Sequence, residues 1–314
     1  LALVREDDAN PSFPTAKPRP KSAQQRCDYE IQTSAQCYSS NRQRSSGEVM
    51  HSVSAPEDEA NRLYIEQSRL ALRLRRRTPE DDQPLVVWDV GLGAASNAMA
   101  AIHRVEVELS AVGAAALRPL QLISFERDLD PLILAARHAS HFPHLRHGAP
   151  HGLLHKSRWG HASGLIDWRL LRGDFLEHLE GAPPPDLIYY DPFSAKTDTG
   201  LWQPEVFARL HRHCQSRPAE LYTYAAGTGV RAAMLSAGFY VAEGVGTGPK
   251  ATTTVAFTHR DARSDDPTGP KLLAAEWLAR WRRSDAKFPA GLDEAHKAAF
   301  EQRIEGHPQF GQKL

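Results

Sequence analysis

Residues 84–98 read PLVVWDVGLGAASNA, and this stretch decides the fold. Leu85 to Val90 is a short, apolar, β-rich run that contains an acid, Asp89, and leads into a glycine turn, Gly91-Leu92-Gly93; residues 94–105 then read as helix. A strand that ends at a carboxylate, turns on glycines and restarts as a helix is the opening unit of an alternating β/α chain. Glycines let the backbone turn sharply and approach a ligand, while the next helix points free N–H groups at that ligand. The bland alternative, a turn that only reverses the chain, stays open on this spacing alone.

The alternation continues downstream. LQLISFE (120–126), WRLL (168–171), DLIYYD (186–191) and ELYTYA (220–225) read as strands, with helical segments at 130–140, 203–213 and 228–236 between them. FYVAEG (239–244) and TTTVAFT (252–258) close the series as two strands joined by a Gly-rich loop. Strands separated by helices imply right-handed crossovers and a parallel sheet. The expectation is an α/β fold with a seven-stranded, mostly parallel sheet, the closing hairpin supplying one antiparallel edge strand.

Four acids sit at or near the carboxyl ends of the first four strands: Asp89, Glu126, Asp174 (in GDFLEHL) and Asp191 (in DPFS). Ligands of open α/β sheets bind outside those strand ends. One such acid is readily explained as a helix cap; four in succession point to a shared cleft. Glu126, ending the second strand, stands where nucleotide-binding folds place a carboxylate for ribose hydroxyls.

Outside this core, at 85–260, three segments stand apart. Residues 1–25 hold Pro11, Pro14, Pro18 and Pro20 among polar residues and read as disordered. Residues 26–84 form an extension of short strands followed by a helix, with Ser54 and Glu57 at capping-box spacing and Leu63, Leu70 and Leu74 on one face. That helix also carries Arg69, Arg73, Arg75, Arg76 and Arg77, which read equally well as a phosphate grip or as a solvated face. Residues 261–314 turn polar and helical, a tail packed on the core.

Over all 314 residues, 38 Lys and Arg balance 38 Asp and Glu, so a polynucleotide partner would be held by a local patch rather than by a global field. The three cysteines, Cys27, Cys37 and Cys214, are too few and scattered for a disulfide framework, which favours a reducing compartment. No apolar run approaches the roughly 20 residues of a membrane span, and the N-terminal stretch lacks a signal-peptide layout. The expectation is a cytoplasmic protein without a membrane partner.

These motifs together carry a resemblance. The core resembles class I S-adenosylmethionine-dependent methyltransferases with their Rossmann-like fold. More narrowly, it is similar to the methyltransferase domain of the bacterial bifunctional enzyme of tRNA 5-methylaminomethyl-2-thiouridine biosynthesis and its stand-alone relatives. The likeness rests on Gly47-Glu48 with His51-Ser52, Asp89-x-Gly91-x-Gly93 with Asn97, Gly173-Asp174-Phe175, Asp191-x-Phe193-Ser194 followed by Trp202, Thr223 to Gly227, Val230-Arg231, Ala237-Gly238-Phe239, and Gly246-x-Gly248-Pro249-Lys250. It departs in three places: Ala95 replaces a third glycine, Ala251-Thr252 replaces a basic–acidic pair, and an asparagine usual before the tryptophan has no counterpart. No oxidoreductase half with a flavin motif is present in the sequence.

The resemblance implies S-adenosyl-L-methionine as cofactor. Gly91 and Gly93 would serve its methionine end, Glu126 its ribose, and Asp174 with Phe175 its adenine, with Asp89 and Asn97 as further cofactor-binding residues. It further implies Asp191 as the catalytic carboxylate, Phe193 and Trp202 as walls of an acceptor slot, Arg231 and Lys250 as tRNA contacts, and the aminomethyl group of a wobble uridine as acceptor. A small-molecule or protein amine is the competing acceptor; a degenerate binding module is a third reading, opposed by the intact acids. Seven histidines fall between His138 and His161, but Pro143, Gly148, Pro150 and Gly152 interrupt them, so they read as a polar insertion and no metal is expected.

Overall fold

The computed structural model describes residues 27–50, 55–75, 83–247, 251–260 and 269–311. The 1–25 segment, Ser54, Arg76, Arg77 and Lys250 lie outside the described residues. The first elements, β1 (Tyr29–Thr33) and β2 (Ser39–Gln43), form an antiparallel hairpin separate from the main sheet. The helix expected next is interrupted. Helix α1 (Pro56–Ala60) opens on Pro56 with Ala55 in the cap position, and passes into a π-helical stretch, Asn61–Glu66. Arg69 then takes a left-handed φ of 53°, and α2 (Leu70–Leu74) follows. Ser68, at the break, is fully buried, and its hydroxyl lies 3.2 Å from that of Tyr189. Tertiary contact has overridden helical continuity, while Leu63, Leu70 and Leu74 are buried as their spacing predicts.

The core then runs β3 (Leu85–Val90), α3 (Ser96–Val112), β4 (Leu120–Glu126), α4 (Asp130–Arg137), α5 (Gly148–Lys156), β5 (Arg158–Gly160), β6 (Ile166–Arg172), α6 (Phe175–His178), β7 (Leu187–Tyr190), α7 (Pro204–His213), β8 (Glu220–Thr223), α8 (Thr228–Ser236), β9 (Tyr240–Gly244) and β10 (Thr253–Phe257). A two-residue strand β11 (Lys271–Leu272) and helices α9 (Ala275–Arg282) and α10 (Glu294–Glu305) follow. Helix α5 runs through Pro150, where the sequence reading placed a break. Pro150 stands in the first turn, whose N–H groups have no intrahelical acceptor, so the ring costs no hydrogen bond.

Among the described residues the main sheet has nine strands in the order β11-β9-β10-β8-β7-β3-β4-β6-β5. Strands β6, β4, β3, β7 and β8 are mutually parallel, as the alternation predicts. Two points differ from expectation. Short strands β5 and β11 extend the two edges, and β10, the antiparallel member of the closing hairpin, lies inside the sheet between β8 and β9. The sequence explains the inner placement: β10 carries no charged side chain and every residue of it is buried, whereas β9 leaves Glu243 exposed and Tyr240 half-buried, so the uncharged strand takes the inner place.

Successive residues of the parallel strands serve opposite faces. Leu85, Val87, Leu187 and Tyr189 join one buried cluster with α3 and the helical segment at 56–74. Val86, Trp88, Val90, Ile188 and Tyr190 join the other, with α7, α8, α9 and α10. The C-terminal helices thus belong to the second core layer. Their seating shows at Gly229 in α8: a Cβ there would fall 2.6 Å from the Phe288 carbonyl oxygen and 3.1 Å from the Pro289 Cα. Alanine is better in a helix by about 1 kcal/mol, but overpacking against fixed backbone costs about 1–3 kcal/mol. Gly229→Ala should therefore lower stability in urea titration by up to about 2 kcal/mol; a gain in stability would mean that the 288–289 segment does not seat on α8.

Candidate active site

A cleft of about 1000 Å³ opens at the carboxyl ends of the parallel strands. The turns after β3, β4, β6 and β7 form one wall, and the segment just after the β1–β2 hairpin forms the other. Gly91 joins two of these turns. Its φ is +91°, and a Cβ there would lie 2.6 Å from the carbonyl oxygen of Asp191 and 2.9 Å from the Pro192 Cα. No side chain fits, so the loop after β7 can lie directly on the turn after β3.

Glu126 ends β4 and braces the same turn. Its Oε2 accepts from the Gly93 amide at 3.2 Å and its Oε1 from the Asp128 amide at 2.9 Å. Burial pushes this carboxyl above its ordinary range, against the opposing pull of those amides. Asp174 caps α6, accepting from the Leu176 amide at 2.8 Å, and is exposed at the rim of the cleft. Phe175 is 5% exposed; it borders the cleft with one edge and packs on Phe125 (5.0 Å between ring centroids) and Trp88 (6.1 Å) with the rest.

Asp191 follows β7 and lines the cleft. Its Oδ2 accepts from Asn97 Nδ2 at 2.7 Å, so Asn97, at the start of α3, holds the carboxylate. Tyr64, from the π-helical stretch, lies beside it: burial and the Asp191 charge push the Tyr64 hydroxyl well above its ordinary range. The loop backbone is fixed from several elements. The Asp191 amide donates to the Val90 carbonyl at 2.8 Å, the Tyr224 hydroxyl donates to the Pro192 carbonyl at 3.0 Å, and Trp202 Nε1 donates to the Phe193 carbonyl at 2.7 Å. The Ser194 amide and hydroxyl both donate to Glu48, each at 2.9 Å.

Three residues expected at the ligand surface lie elsewhere. Asp89 is 1% exposed, beneath the cleft floor, where it accepts from Ser124 Oγ at 2.7 Å. Trp202 is 1% exposed and reaches the loop after β7 only through the Phe193 carbonyl; Phe193 itself lines the cleft. Arg231 is 5% exposed and is spent on Thr252 Oγ1, the Thr253 carbonyl, Thr254 Oγ1 and Glu243, which leaves no face for a phosphate. Lys250 lies outside the described residues. In the arginine segment, Arg73 pairs with Glu220 at 2.5 Å and Arg75 with Glu108 at 2.9 Å, which is structural use.

The histidines are dispersed among local partners. His147 accepts from the Ala149 amide through Nδ1 and faces Glu106 at 3.1 Å through Nε2; His144 contacts the Ala94 carbonyl and His151 the Leu145 carbonyl. Among the described residues no three His, Cys, Asp or Glu side chains are grouped to hold a metal, and no helix is long and apolar enough to cross a membrane. Sequence reasoning missed Tyr29, Met50, Glu59 and Tyr64, and gave Glu48 no role. All come from the segment before the core, whose contacts with the strand-end loops are long-range, up to 146 residues apart, and leave no spacing signal.

Residues 144–259 match the family described as S-adenosyl-L-methionine-dependent methyltransferase. The chain carries an S-adenosyl-L-methionine-dependent methyltransferase domain. It is similar to the tRNA 5-methylaminomethyl-2-thiouridine biosynthesis bifunctional protein MnmC of Ralstonia nicotianae, 36% identical over 162 residues, which are 44% of this chain but only 24% of that protein. Among solved structures it resembles MNMC2 from Aquifex aeolicus, with a TM-score of 0.60 over 91% of this chain and 85% of the other; at 18% identity this likeness is one of fold.

S-adenosyl-L-methionine is the cofactor, and the cleft fits it. Ser96 Oγ and Asn97 Oδ1, in two residues that line the cleft, are buried without a hydrogen-bond partner, which is costly unless a ligand supplies one. Glu48, Glu59, Glu126, Asp128, Asp174, Asp191 and Asp198 line the cleft against only Arg127 and Lys196 among the described residues, an electrostatic surround suited to a sulfonium cation. Asp89 enters as a support rather than as a contact. Desolvation raises its pKa from 3.8 to about 8. A carboxyl raised on folding stabilises fully below its unfolded value and loses that contribution as pH rises toward the folded value. Asp89→Asn should therefore gain on the wild type between pH 4 and pH 8, by at most about 1.4 kcal/mol per pH unit. Thermal melts of both proteins across that range check it; a constant difference would mean that Asp89 ionises normally.

Proposed function

We propose that the protein methylates an amine, the aminomethyl group of 5-aminomethyl-2-thiouridine at the wobble position of tRNA. The observation that carries this reading is the Asp191 carboxylate, held by Asn97 at 2.7 Å on a loop with its backbone fixed from several elements, in the same cleft as the Gly93–Glu126 turn. S-adenosyl-L-methionine, when bound, supplies a methyl group already activated on sulfur for in-line attack by nitrogen. The protein's task is then to position the amine and to stabilise charge as it builds on nitrogen.

Asp191 orients the amine and faces the developing ammonium. Phe193 covers the acceptor side of the cleft as a wall for an extruded base. Glu126 accepts the ribose hydroxyls while it keeps the Gly93 turn in place; Asp174 and Phe175 border the adenine; Gly91, Gly93 and Asn97 surround the methionine end. The relative from Ralstonia is named for tRNA 5-methylaminomethyl-2-thiouridine biosynthesis, which supports the acceptor. The acid-rich lining favours a second reading, a small-molecule or protein amine, because it attracts any ammonium and offers phosphate little. Transfer of radiolabelled methyl to bulk tRNA from a strain lacking this modification separates the two: label in a wobble nucleoside supports the first, and unlabelled tRNA with a labelled small amine supports the second.

Two substitutions test the residue roles. Asp191→Asn should lower kcat by about a hundredfold or more, the range lost with a positioned polar group, while the cofactor Kd changes little. Normal turnover with weakened binding of both ligands would reduce Asp191 to a loop cap. Glu126→Ala should weaken cofactor binding by about 1–3 kcal/mol in calorimetry, through lost charge-assisted hydrogen bonds. An unchanged Kd would place the ribose elsewhere.

A further inference from the structure

The segment before the core reaches the proposed acceptor loop through one carboxylate. Glu48 Oε1 accepts from the Ser194 amide and Glu48 Oε2 from the Ser194 hydroxyl, each at 2.9 Å, a two-pronged grip across 146 residues of sequence. The other backbone anchors of this loop are neutral groups of the core: the Val90 carbonyl, the Tyr224 hydroxyl and the Trp202 indole. The Ser194 carbonyl, in turn, accepts from the amides of Thr197 and Asp198, at 2.8 Å each. Asp198 ion-pairs with Arg127, at the end of β4, at 3.1 Å. Ser194 is therefore the point at which the Asp191 loop is tied to both lips of the cleft. Glu48 lines that cleft, and its own strap is held: the Gln43 amide donates to the Glu48 carbonyl at 2.8 Å, and the Met50 amide donates to the Asn41 carbonyl at 2.9 Å.

We propose that Glu48 is a positioning residue for methyl transfer: by gripping Ser194 it fixes the loop that carries Asp191 and Phe193, and so sets where the acceptor nitrogen sits. Charge-assisted hydrogen bonds to a carboxylate are the short, strong kind, and misplacing a reacting group by about an ångström costs rate rather than affinity. The inference rests on the amine-methyltransferase reading for its kinetic consequence, but the grip itself is a property of the chain alone.

The test uses Glu48→Ala, Glu48→Gln and Ser194→Ala in the full chain with S-adenosyl-L-methionine bound. Hydrogen–deuterium exchange over the 191–198 peptide reads the grip without any acceptor. Glu48→Ala should speed exchange there about tenfold or more while peptides of β3 and β4 stay protected, and Glu48→Gln, which keeps one acceptor oxygen for the Ser194 amide, should recover much of that protection. In methyl transfer to tRNA, Glu48→Ala should lower kcat about 10- to 100-fold with cofactor Kd within about threefold, Ser194→Ala less, and the double variant no more than Glu48→Ala alone. Unchanged exchange in the 191–198 peptide, or a loss confined to cofactor affinity, overturns the proposal. Wild-type protein that labels no tRNA overturns the tRNA reading instead, and leaves the exchange result to judge the grip.

Discussion

The site depends on the close approach between the turn after β3 and the loop after β7, which Gly91 alone permits. With a Cβ at 2.6 Å from the Asp191 carbonyl, the loop would be pushed off the sheet. Asn97 could then no longer reach the Asp191 carboxylate, nor Tyr224 the Pro192 carbonyl. The turn after β3 and the loop after β7 are thus one packed unit rather than two neighbouring loops. This is how a parallel sheet makes a reactive cleft: adjacent strands end side by side, and the distance between their loops is set by what the intervening residue lacks.

The second constraint is electrostatic. Carboxylates at the ends of parallel strands repel one another and lose hydration where they are buried. The structure handles each differently. Glu126 is given two backbone amides, Asp174 the start of α6, and Asp191 the Asn97 amide. Asp89, with a hydroxyl as its one described donor, has its pKa lifted to about 8 by burial. A cationic ligand in the cleft relieves the remaining repulsion, so cofactor affinity and the stability of the empty site trade against each other.

How much of this was legible in the sequence follows from range. Strands β4, β7 and β8 and helices α7 and α8 fall where short-range patterns placed them, because hydrophobic alternation is a local property. The glycine turn and the strand-end acids were legible for the same reason. The inner position of β10 was not, since order within a sheet is decided by which strand buries all of its residues, visible only once β9 and β10 are compared side by side. Arg231 and Trp202 read as ligand contacts because motif position says nothing of which way a side chain points; both turn into the second core layer or its edge. The break at Arg69 was hidden as well, because it answers to Ser68 meeting Tyr189.

The half of the cleft that sequence did not show is the half built before the core. Residues 45–50 cross the open side of the strand ends, with Glu48 on Ser194 and the Met50 sulfur 3.3 Å from where a Gly93 Cβ would be. A class I sheet by itself leaves its carboxyl edge open to solvent, and water there weakens every charge interaction. Covering that edge with a strap held by its own hairpin adds a wall at little cost to the core. It also ties the Asp191 loop to a segment outside the core sheet. On the proposed function the core then supplies the methyl donor's site, and the strap sets where the acceptor sits relative to it.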